Sequence, residues 1–200
     1  MMLQFQGDKM RHIIYFSSKA RTSGNFTDLM KAGRMDIVCN VIIQTLFLSN
    51  KLRENIHLHL IFNGQPNPPQ HLELISNQLD QTQISKKDIA GLIKRMLYKS
   101  NPNKKTQPAP GCFIEKKSLQ QLLKELQLEG KTIQVLDSKG ESIRNLTNKQ
   151  LQNSVFLIGD HEGLPKKELK QYHKVSIGDQ TYFASQTAII INNELDLRNL

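Results

Sequence analysis

The sequence predicts an α/β fold with a largely parallel sheet and helices on both faces, because strand-like and helix-like segments alternate along the chain. NIHLHLIFNG, residues 55–64, alternates apolar and polar side chains with the period of two that is typical of a strand. MDIVCNVIIQTLFLSNKL, which begins at Met35, is apolar almost all round and suits a buried helix. The apolar run VFLI, residues 155–158, ends at a glycine and indicates a buried strand.

The other elements of the first half follow from local signals. HIIYFSS, residues 12–18, reads as a strand, and QPNPPQ, residues 65–70, forms a rigid proline turn. The apolar stripe of SKKDIAGLIKRML predicts a helix with Ser85 as its N-cap and Asp88 three residues later. Residues 99–111 are rich in proline, lysine and asparagine, and predict a mobile linker.

The second half continues the alternation. Ser118 begins the predicted helix SLQQLLKEL, TIQVLD (residues 132–137) is a strand, and SKGES after it is a turn. PKKELKQY, residues 165–172, is predicted as a short helix with proline in its first turn. The last predicted elements are the strand HKVSIG at residues 173–178 and the helix YFASQTAIIINNELDL at residues 182–197.

Length and composition narrow the class of protein. The 200 residues fit one domain, which we assign to residues 10–200, and residues 1–9 read as an N-terminal extension. No apolar run is long enough to span a bilayer and the N-terminus has no signal-peptide core, so we expect a cytoplasmic protein without a membrane partner. Two cysteines, Cys39 and Cys112, are too few for a disulfide framework and favour free thiols.

The net charge of +9 slightly favours a polyanionic partner such as nucleic acid over a merely solvated lysine-rich surface. Basic side chains that neutralise phosphates release counterions, which drives such binding. The chain has no tryptophan, and its four tyrosines and eight phenylalanines form no obvious stripe for base stacking. The charge therefore indicates the class of partner but not the way in which it is recognised.

Several common catalytic motifs are missing from the sequence, among them the G-x-G-x-x-G dinucleotide loop, the phosphate loop and the G-x-S-x-G elbow. His57 and His59 stand two residues apart on a predicted strand, a spacing that could place two metal ligands on one face. A half-exposed polar face is the simpler interpretation, and we expect no metal.

Small or polar turns follow four predicted strands, in the segments IFNG, VLDSKG, FLIGDHEG and VSIGDQ. In open parallel sheets, ligands bind beyond the carboxyl ends of the strands. Gly159, Gly163 and Gly178 allow the backbone to approach a ligand closely or to adopt a positive φ. A tight turn explains any one of these glycines, whereas three of them late in the chain favour a binding site.

Nine motifs run in order along the chain from Met10. They are TSGNF (22–26), GRMDIVC (33–39), NGQPNPP (63–69), DIAGLIK (88–94), PGCFI (110–114), VLDSKGE (135–141), FLIGDHEGLP (156–165), VSIG (175–178) and FASQ through NNELD (183–196). In these motifs the sequence resembles the archaeal tRNA pseudouridine N1-methyltransferase family, TrmY, within the SPOUT class of knotted methyltransferases. Each motif is weak alone, and together they are specific.

The resemblance implies an α/β domain whose C-terminal segment threads a trefoil knot, and a homodimer whose interface completes the active site. It also implies S-adenosylmethionine as the methyl donor and N1 of pseudouridine 54 in the T-loop of tRNA as the acceptor. The cofactor-binding residues that it implies, together with the glycine turns, are Leu136, Gly159, Asp160, Gly163, Ser176, Ile177, Gly178, Thr181, Tyr182, Phe183 and Thr187.

The GRMD motif holds the two candidates for the chemistry. Asp36 is a candidate acceptor for the N1 proton, although helix capping and dipole pairing explain it equally well. Arg34 is a candidate for holding a phosphate or the uracil edge, or for pairing with an acid. Asp160 and His161 either contact the cofactor or hold the following helix. The RNA-contact candidates, whose alternative is plain surface solvation, are Lys19, Arg21, Arg34 and Asn63.

Three positions depart from the family pattern. Asn40 and Gln70 stand where relatives usually have basic residues, which removes positive charge near the expected RNA face, and Glu162 stands where an apolar residue is common. Two alternatives to the tRNA enzyme stay open. One is another SPOUT RNA methyltransferase, acting on rRNA pseudouridine N1 or on a ribose 2′-O. The other is a non-catalytic RNA-binding or assembly factor with the same fold.

Overall fold

The computed structural model describes residues 10–80 and 85–200, so the predicted extension at residues 1–9 lies outside the described residues. The strands are β1 (Arg11–Ser17), β2 (Ile56–Phe62), β3 (Gln70–Ile75), β4 (Thr106–Ala109), β5 (Cys112–Glu115), β6 (Thr132–Ser142), β7 (Ser154–Gly159) and β8 (His173–Ser176). The helices are α1 (Met35–Leu46), α2 (Lys86–Tyr98), α3 (Leu119–Leu128), α4 (Asn148–Gln152) and α5 (Ala184–Leu197).

The strands form one mixed sheet in the order β4-β5-β3-β2-β1-β7-β6-β8. Strands β2, β1, β7, β6 and β8 are parallel to one another, which confirms the predicted α/β class for this half of the sheet. Strands β3, β5 and β4 extend the other edge in antiparallel pairs that the sequence pattern did not indicate. The predicted linker at residues 99–111 is therefore wrong in part, since it contains β4, an edge strand that tolerates Pro108.

Three other predicted elements differ from the structure. Helix α1 ends at Leu46 rather than near residue 52, because Phe47 is extended and bridges to Leu52. The predicted turn SKGES belongs to β6, which continues to Ser142. Residues 165–172 form turns instead of the predicted helix. The N-caps at Ser85 and Ser118 are confirmed, since each side chain accepts a hydrogen bond from the backbone three residues on.

The two faces of the sheet carry separate apolar clusters, which places helices on both faces as predicted. One cluster joins alternate residues of the strands, such as Tyr15 and Leu60, to apolar residues of α1, α2 and α5. The other joins Ile14 and Leu157 to apolar residues of α3. Among the described residues, no helix combines the length and the apolar character that crossing a membrane requires.

On the face that carries His57 and His59, His59 is buried and His57 is only partly exposed, so the expectation of a half-exposed polar face is wrong in part. His59 is only 2% exposed, and His12 of the neighbouring strand is 6% exposed. Burial lowers the pKa of His12 to about 3 and holds the pKa of His59 well below its usual value. Both imidazoles are therefore neutral at neutral pH.

Two loops interlock at the carboxyl ends of β1 and β2. The Thr22 hydroxyl donates to the Gly64 carbonyl at 2.8 Å, and the Asn67 backbone N–H donates to the Thr22 oxygen at 2.7 Å. Gly33 has φ +70°, and a Cβ there would lie 1.7 Å from the Lys19 carbonyl oxygen. Only glycine allows this approach. These contacts hold the motifs TSGNF, GRMD and NGQPNPP together at the carboxyl ends of β1 and β2.

Candidate active site

A cavity of about 260 Å³ lies at the carboxyl ends of the parallel strands β6, β7 and β8. This is the place that the glycine-containing turns predicted. Most of the predicted cofactor residues line it, namely Leu136, Gly159, Asp160, Gly163, Ile177, Gly178, Thr181, Tyr182 and Thr187.

Two predicted cofactor residues adjoin the cavity without lining it. The Ser176 hydroxyl is buried and exchanges hydrogen bonds of 3.0 Å with the backbone N–H and carbonyl of Gly178, so it shapes the turn. Phe183 precedes α5 and is 72% exposed, and its carbonyl accepts a hydrogen bond from the Thr187 backbone. Ser176 and Phe183 therefore support lining residues instead of forming the wall.

The cavity has an apolar wall and a charged rim. The apolar side chains include Val135, Leu136, Ile158, Leu164, Leu169, Val175 and Ile177, and the polar ones include Asp137, Ser138, Lys166, Lys174 and Gln180. The Lys174 ammonium lies 2.9 Å from the Asp137 carboxylate. Two contacts lower the pKa of Asp137, of which the hydrogen bond from the Lys139 backbone has the larger effect and the contact with the Lys174 ammonium the smaller. An amphipathic ligand with an aromatic ring and charged groups fits such a cavity.

Sequence reasoning identified only Leu136 in the β6 part of this wall. Asp137 and Ser138 were missed although they belong to the quoted motif VLDSKGE, which was the available signal. Lys174 was missed as well, because the charged rim depends on the contact between β6 and β8, which residue patterns do not contain.

The glycines leave the backbone bare at the cavity. A Cβ added at Gly163 or at Gly178 would meet no described atom within 4 Å, and both residues have positive φ, +83° and +143°. A Cβ at Gly159 would lie 2.9 Å from the Gly163 carbonyl carbon, so the turn closes back on itself there. A ligand can therefore approach the backbone closely at these positions, although the Gly163 N–H already donates to the Asp160 carbonyl and the Gly178 N–H to the Ser176 hydroxyl.

Asp160 anchors the glycine turn of β7 to the end of β1. Its Oδ2 accepts hydrogen bonds from the Ser17 hydroxyl at 2.7 Å and the Ser18 backbone at 3.1 Å. Its Oδ1 accepts from the Glu162 backbone at 2.8 Å. This geometry favours a structural role, although the element that Asp160 holds is β1 and not a following helix. His161 is exposed and lies 3.6 Å from the Glu162 carboxylate.

Arg34 and Asp36 form a bidentate pair at the start of α1. Arg34 Nε and Nη2 each donate to one Asp36 oxygen at 3.0 Å. Arg34 has φ 61°, a left-handed conformation that is uncommon outside glycine. The hydrogen bond from the Arg34 guanidinium lowers the pKa of Asp36. Neither residue lines the cavity.

The Arg34–Asp36 pair nevertheless lies at the carboxyl ends of the parallel strands, as the cavity does. Burial raises the pKa of Tyr15 in β1, and the negative charges of Asp160 and Asp36 act in the same direction. Gly33, which precedes Arg34, packs against the Lys19 carbonyl just beyond the end of β1, and the Ser18 N–H beside it donates to Asp160, so the pair and the glycine turn lie at the same end of β1. The Asp36 carboxylate can therefore hold the Arg34 guanidinium in one orientation, and the same contact makes the carboxylate a weaker base.

The predicted RNA contacts surround Arg34. Lys19 and Asn63 are exposed and follow the ends of β1 and β2. Arg21 is partly exposed, and its Nε donates to the Ser23 hydroxyl at 3.0 Å. Interlocking of the two loops brings these residues to the carboxyl ends of β1 and β2, where Lys19 and Arg21 add positive charge and Asn63 adds a neutral polar group.

The structure shows the surroundings of two residues that depart from the family pattern, Gln70 and Glu162. Gln70 is 2% exposed, and its amide contacts the Ser100 hydroxyl and the Asn67 carbonyl. It therefore does not face a partner. Glu162 has an exposed side chain beside His161 on the rim of the glycine turn.

A family model described as "Putative SAM-dependent RNA methyltransferase" matches residues 10–200. A tRNA (pseudouridine(54)-N(1))-methyltransferase from Methanococcoides burtonii is 35% identical over 199 residues, which cover 96% of this chain and 98% of that protein. A protein of the same name from Methanosarcina acetivorans is 32% identical over 195 residues, which cover 94% of this chain and 91% of that protein.

Solved structures share the fold. Archaeoglobus fulgidus Nep1 bound to S-adenosylhomocysteine matches with a TM-score of 0.67 at 11% identity, covering 96% of this chain and 100% of that one. A structure described by "the 2-OH methylation of C/U34 on tRNA" matches with a TM-score of 0.52 at 15% identity, covering 98% and 94% of the two chains. The chain thus belongs to the family of SAM-dependent RNA methyltransferases that includes the tRNA (pseudouridine(54)-N(1))-methyltransferases.

Proposed function

We propose that this protein transfers a methyl group from S-adenosylmethionine to N1 of pseudouridine 54 in the T-loop of tRNA. The observation that carries the proposal is the 35% identity, over nearly the whole of both chains, to a relative that is named for this reaction. The amphipathic cavity at the carboxyl ends of β6, β7 and β8 provides a site of the required kind. As such modification acts on tRNA, we place the reaction in the cytoplasm.

The cavity residues fit S-adenosylmethionine. Leu136 and Ile177 are apolar side chains suited to the two faces of adenine, and the lack of side chains at Gly163 and Gly178 leaves room for the ring to approach the backbone closely. When bound, S-adenosylmethionine supplies an electrophilic methyl group on a sulfonium. The protein contributes position, since in-line displacement requires the acceptor nitrogen to be held in alignment.

Arg34 and Asp36 are our candidates for handling the pseudouridine. Arg34 is held in one orientation by its bidentate contact, and would present its remaining N–H groups to a phosphate or to the uracil edge. Asp36 stays ionised at neutral pH, because its pKa is lowered, and would accept the N1 proton or hold Arg34. The basic side chains of Lys19 and Arg21 and the polar side chain of Asn63 would bind the RNA around this point.

A trefoil knot in the C-terminal part is also part of the proposal, and the pairing of β8 supports it. Val175 pairs in parallel register with Leu136 and again with Glu141. A strand has two edges, and each edge can pair with one neighbour. Because Val175 pairs with two residues of β6, we infer that the segment between Leu136 and Glu141 passes around β8 from one edge to the other. A Cβ at Gly140 would lie 2.5 Å from the backbone of Lys174 and Val175, as expected for such a close wrap. The chain that continues into α5 would run through this loop.

The proposed homodimer would use exposed apolar side chains next to and within α5 and just after α1. Phe183 is 72% exposed, Ile189 43% and Leu48 36%, and a shallow hollow between α1 and α5 lies beside Ile189. Because Phe183 directly precedes the α5 residues that line the cavity, a second copy docked here would lie next to the site. We also propose that residues 10–200 act as one domain, as the match of the family model over this range supports.

Methyl transfer to matched T-arm RNAs tests the proposal. One RNA carries pseudouridine at position 54 and the control carries uridine, whose N1 is blocked by the glycosidic bond. We expect radiolabelled methyl to enter only the pseudouridine RNA. Equal labelling of both RNAs would indicate a ribose acceptor, and binding of S-adenosylmethionine without any labelling would indicate a non-catalytic factor. Both of these outcomes contradict the proposal.

A further inference from the structure

Four histidines stack side by side on the α3 face of the sheet, away from the cofactor cavity. They are His12 of β1, His57 and His59 of β2, and His71 of β3. The ring centroids of His57 and His59 are 4.2 Å apart, and those of His59 and His71 are 5.2 Å apart. His59 and His71 are at most 2% exposed. The proposed methyl transfer gives this cluster no role.

Three of these side chains bring ring nitrogens together. His12, His57 and His59 each offer one nitrogen, and these atoms lie within 4.8 Å of one another. His12 Nδ1 and His59 Nε2 are 3.3 Å apart. Two imidazole nitrogens on one tetrahedral Zn²⁺, with bonds of about 2.0 Å, are separated by about 3.3 Å. His12 and His59 have this spacing through the hydrogen bond that joins them, so the donor ring would shift its proton to its other nitrogen when zinc binds, and His57 would need to move by roughly 1 to 1.5 Å to join them.

The outer contacts of the cluster are those that orient metal-binding histidines. His57 Nε2 lies 2.6 Å from a Glu73 oxygen, which leaves Nδ1 for a metal. His59 Nδ1 lies 3.0 Å from His71 Nε2, and His71 Nδ1 lies 3.1 Å from a Glu115 oxygen. A carboxylate or another acceptor on the far nitrogen fixes the tautomer of a ligating histidine. His57 and His59 both have such an acceptor.

We propose that His12, His57 and His59 bind one Zn²⁺ ion, with water in the fourth position. Three neutral imidazoles are a ligand set that suits zinc, and they offer nothing attractive to the hard ions Mg²⁺ or Ca²⁺. The His57 side chain is 18% exposed, so an ion can reach the cluster from solvent. This proposal replaces our expectation from the sequence that the protein has no metal.

The ion would have a structural role. His12 is five residues before Ser17, the end of β1 nearest the cofactor cavity, which corresponds to roughly 16 Å along the strand. At that separation an ion cannot contact the reacting atoms. It would instead cross-link β1 to β2 and raise the stability of the folded chain by RT ln(1 + c/Kd), where c is the concentration of free Zn²⁺.

Zinc titration of the full-length, tag-free protein after chelator treatment tests the proposal. We expect calorimetry to show one bound Zn²⁺ per chain, a higher Tm with Zn²⁺, and the intense visible absorption of a tetrahedral site when Co²⁺ is used instead. His57→Gln, which keeps a donor for Glu73, should lose this binding. His161→Gln, which changes an exposed histidine outside the cluster, should retain it.

Two results would overturn the proposal. One is the lack of stoichiometric Zn²⁺ binding by the wild-type protein, and the other is equal binding by wild type and His57→Gln. If His57→Gln fails to fold, the Co²⁺ spectrum of the wild-type protein decides, because a weak octahedral spectrum excludes a site of three imidazoles. These readouts do not require methyl transfer, so they stand apart from the proposed function.

Discussion

The Ser17 hydroxyl donates a 2.7 Å hydrogen bond to the Asp160 carboxylate, which ties the end of β1 to the end of β7. The backbone N–H groups of Ser18 and Glu162 donate to the same carboxylate. Asp160 is 9% exposed and follows Gly159, at the start of the turn that lines the cofactor cavity. The position of that turn therefore depends on one largely buried carboxylate with three donors among the described residues.

Asp160→Asn should destabilise the protein and weaken cofactor binding. The new NH₂ group must face either the Ser17 side or the Glu162 N–H, so one donor is left without an acceptor at a cost of about 1–3 kcal/mol. We expect a Tm several degrees lower and a Kd for S-adenosylmethionine about tenfold higher, measured by thermal scanning and calorimetry. Ser17→Ala removes one donor to Asp160 and also the acceptor of the Lys19 and Ala20 N–H groups, so it should lower the Tm as well. Wild-type values for Asp160→Asn would refute the anchoring role.

Gly140→Ala tests whether β6 wraps closely around β8. The added Cβ would lie 2.5 Å from the backbone of Lys174 and Val175, which cannot yield as a side chain can. We expect a loss of at least about 2 kcal/mol in chemical denaturation. The control is Gly91→Ala in α2, where an added Cβ meets no described atom within 4 Å. That change should stabilise by about 0.5–1 kcal/mol. A Gly140→Ala protein as stable as wild type would contradict the wrap.

Leu136→Ala should weaken the binding of S-adenosylmethionine. Leu136 contributes apolar surface to the cavity, and the loss of its isopropyl group removes about 1–2 kcal/mol of contact with adenine, which is about a tenfold rise in Kd. The matched control is Leu128→Ala at the end of α3, where the side chain is 80% exposed. Calorimetry should show an unchanged Kd for the control. Equal Kd values for the two variants would remove Leu136 from the site.

The Arg34 contact lowers the pKa of Asp36 below its ordinary value of 3.8. The pair therefore contributes stability above that value, and the contribution is lost as pH falls through the lower folded-state pKa. Between pH 5 and 8 Asp36 stays ionised, so it should add no acid limb to kcat in that range. Steady-state kinetics of wild type and Asp36→Asn check this point. An acid limb near pH 6 that disappears in the variant would contradict it.

Asp36→Asn also separates the two roles of this residue. If Asp36 accepts the N1 proton, kcat should fall by about a hundredfold or more. An unchanged kcat would exclude an essential proton acceptor. Because an asparagine oxygen still accepts from Arg34, a modest loss with a raised KM would indicate that Asp36 only orients the guanidinium.

Sequence periodicity predicted the parallel half of the fold and the place of the site. Strand β2 has a clear period of two, and Ser85 and Ser118 are side-chain caps whose signals are local. Glycine turns after buried strands located the cavity through a general rule for parallel sheets. The positions with an unambiguous local pattern are thus those where structure and sequence agree.

The missed features depend on contacts between distant segments. Strand β3 contains His71 and Glu73, whose burial depends on partners such as Glu115 and His57 that lie far away in sequence. Residues 165–172 have a helix-forming composition, but they form turns that border the cavity. Lys174 lies in the charged rim only because β8 pairs with β6. Local patterns carry no information on such pairs.

The most direct test of the proposed reaction is to locate the transferred methyl group. Transfer RNA with pseudouridine at position 54 would be incubated with the protein and S-adenosylmethionine that carries a deuterated methyl group, then digested and examined by tandem mass spectrometry. We expect one labelled methyl on the base of nucleotide 54, retained in fragments that have lost the ribose. A label on the ribose, a label at another nucleotide, or no label at all would contradict the account.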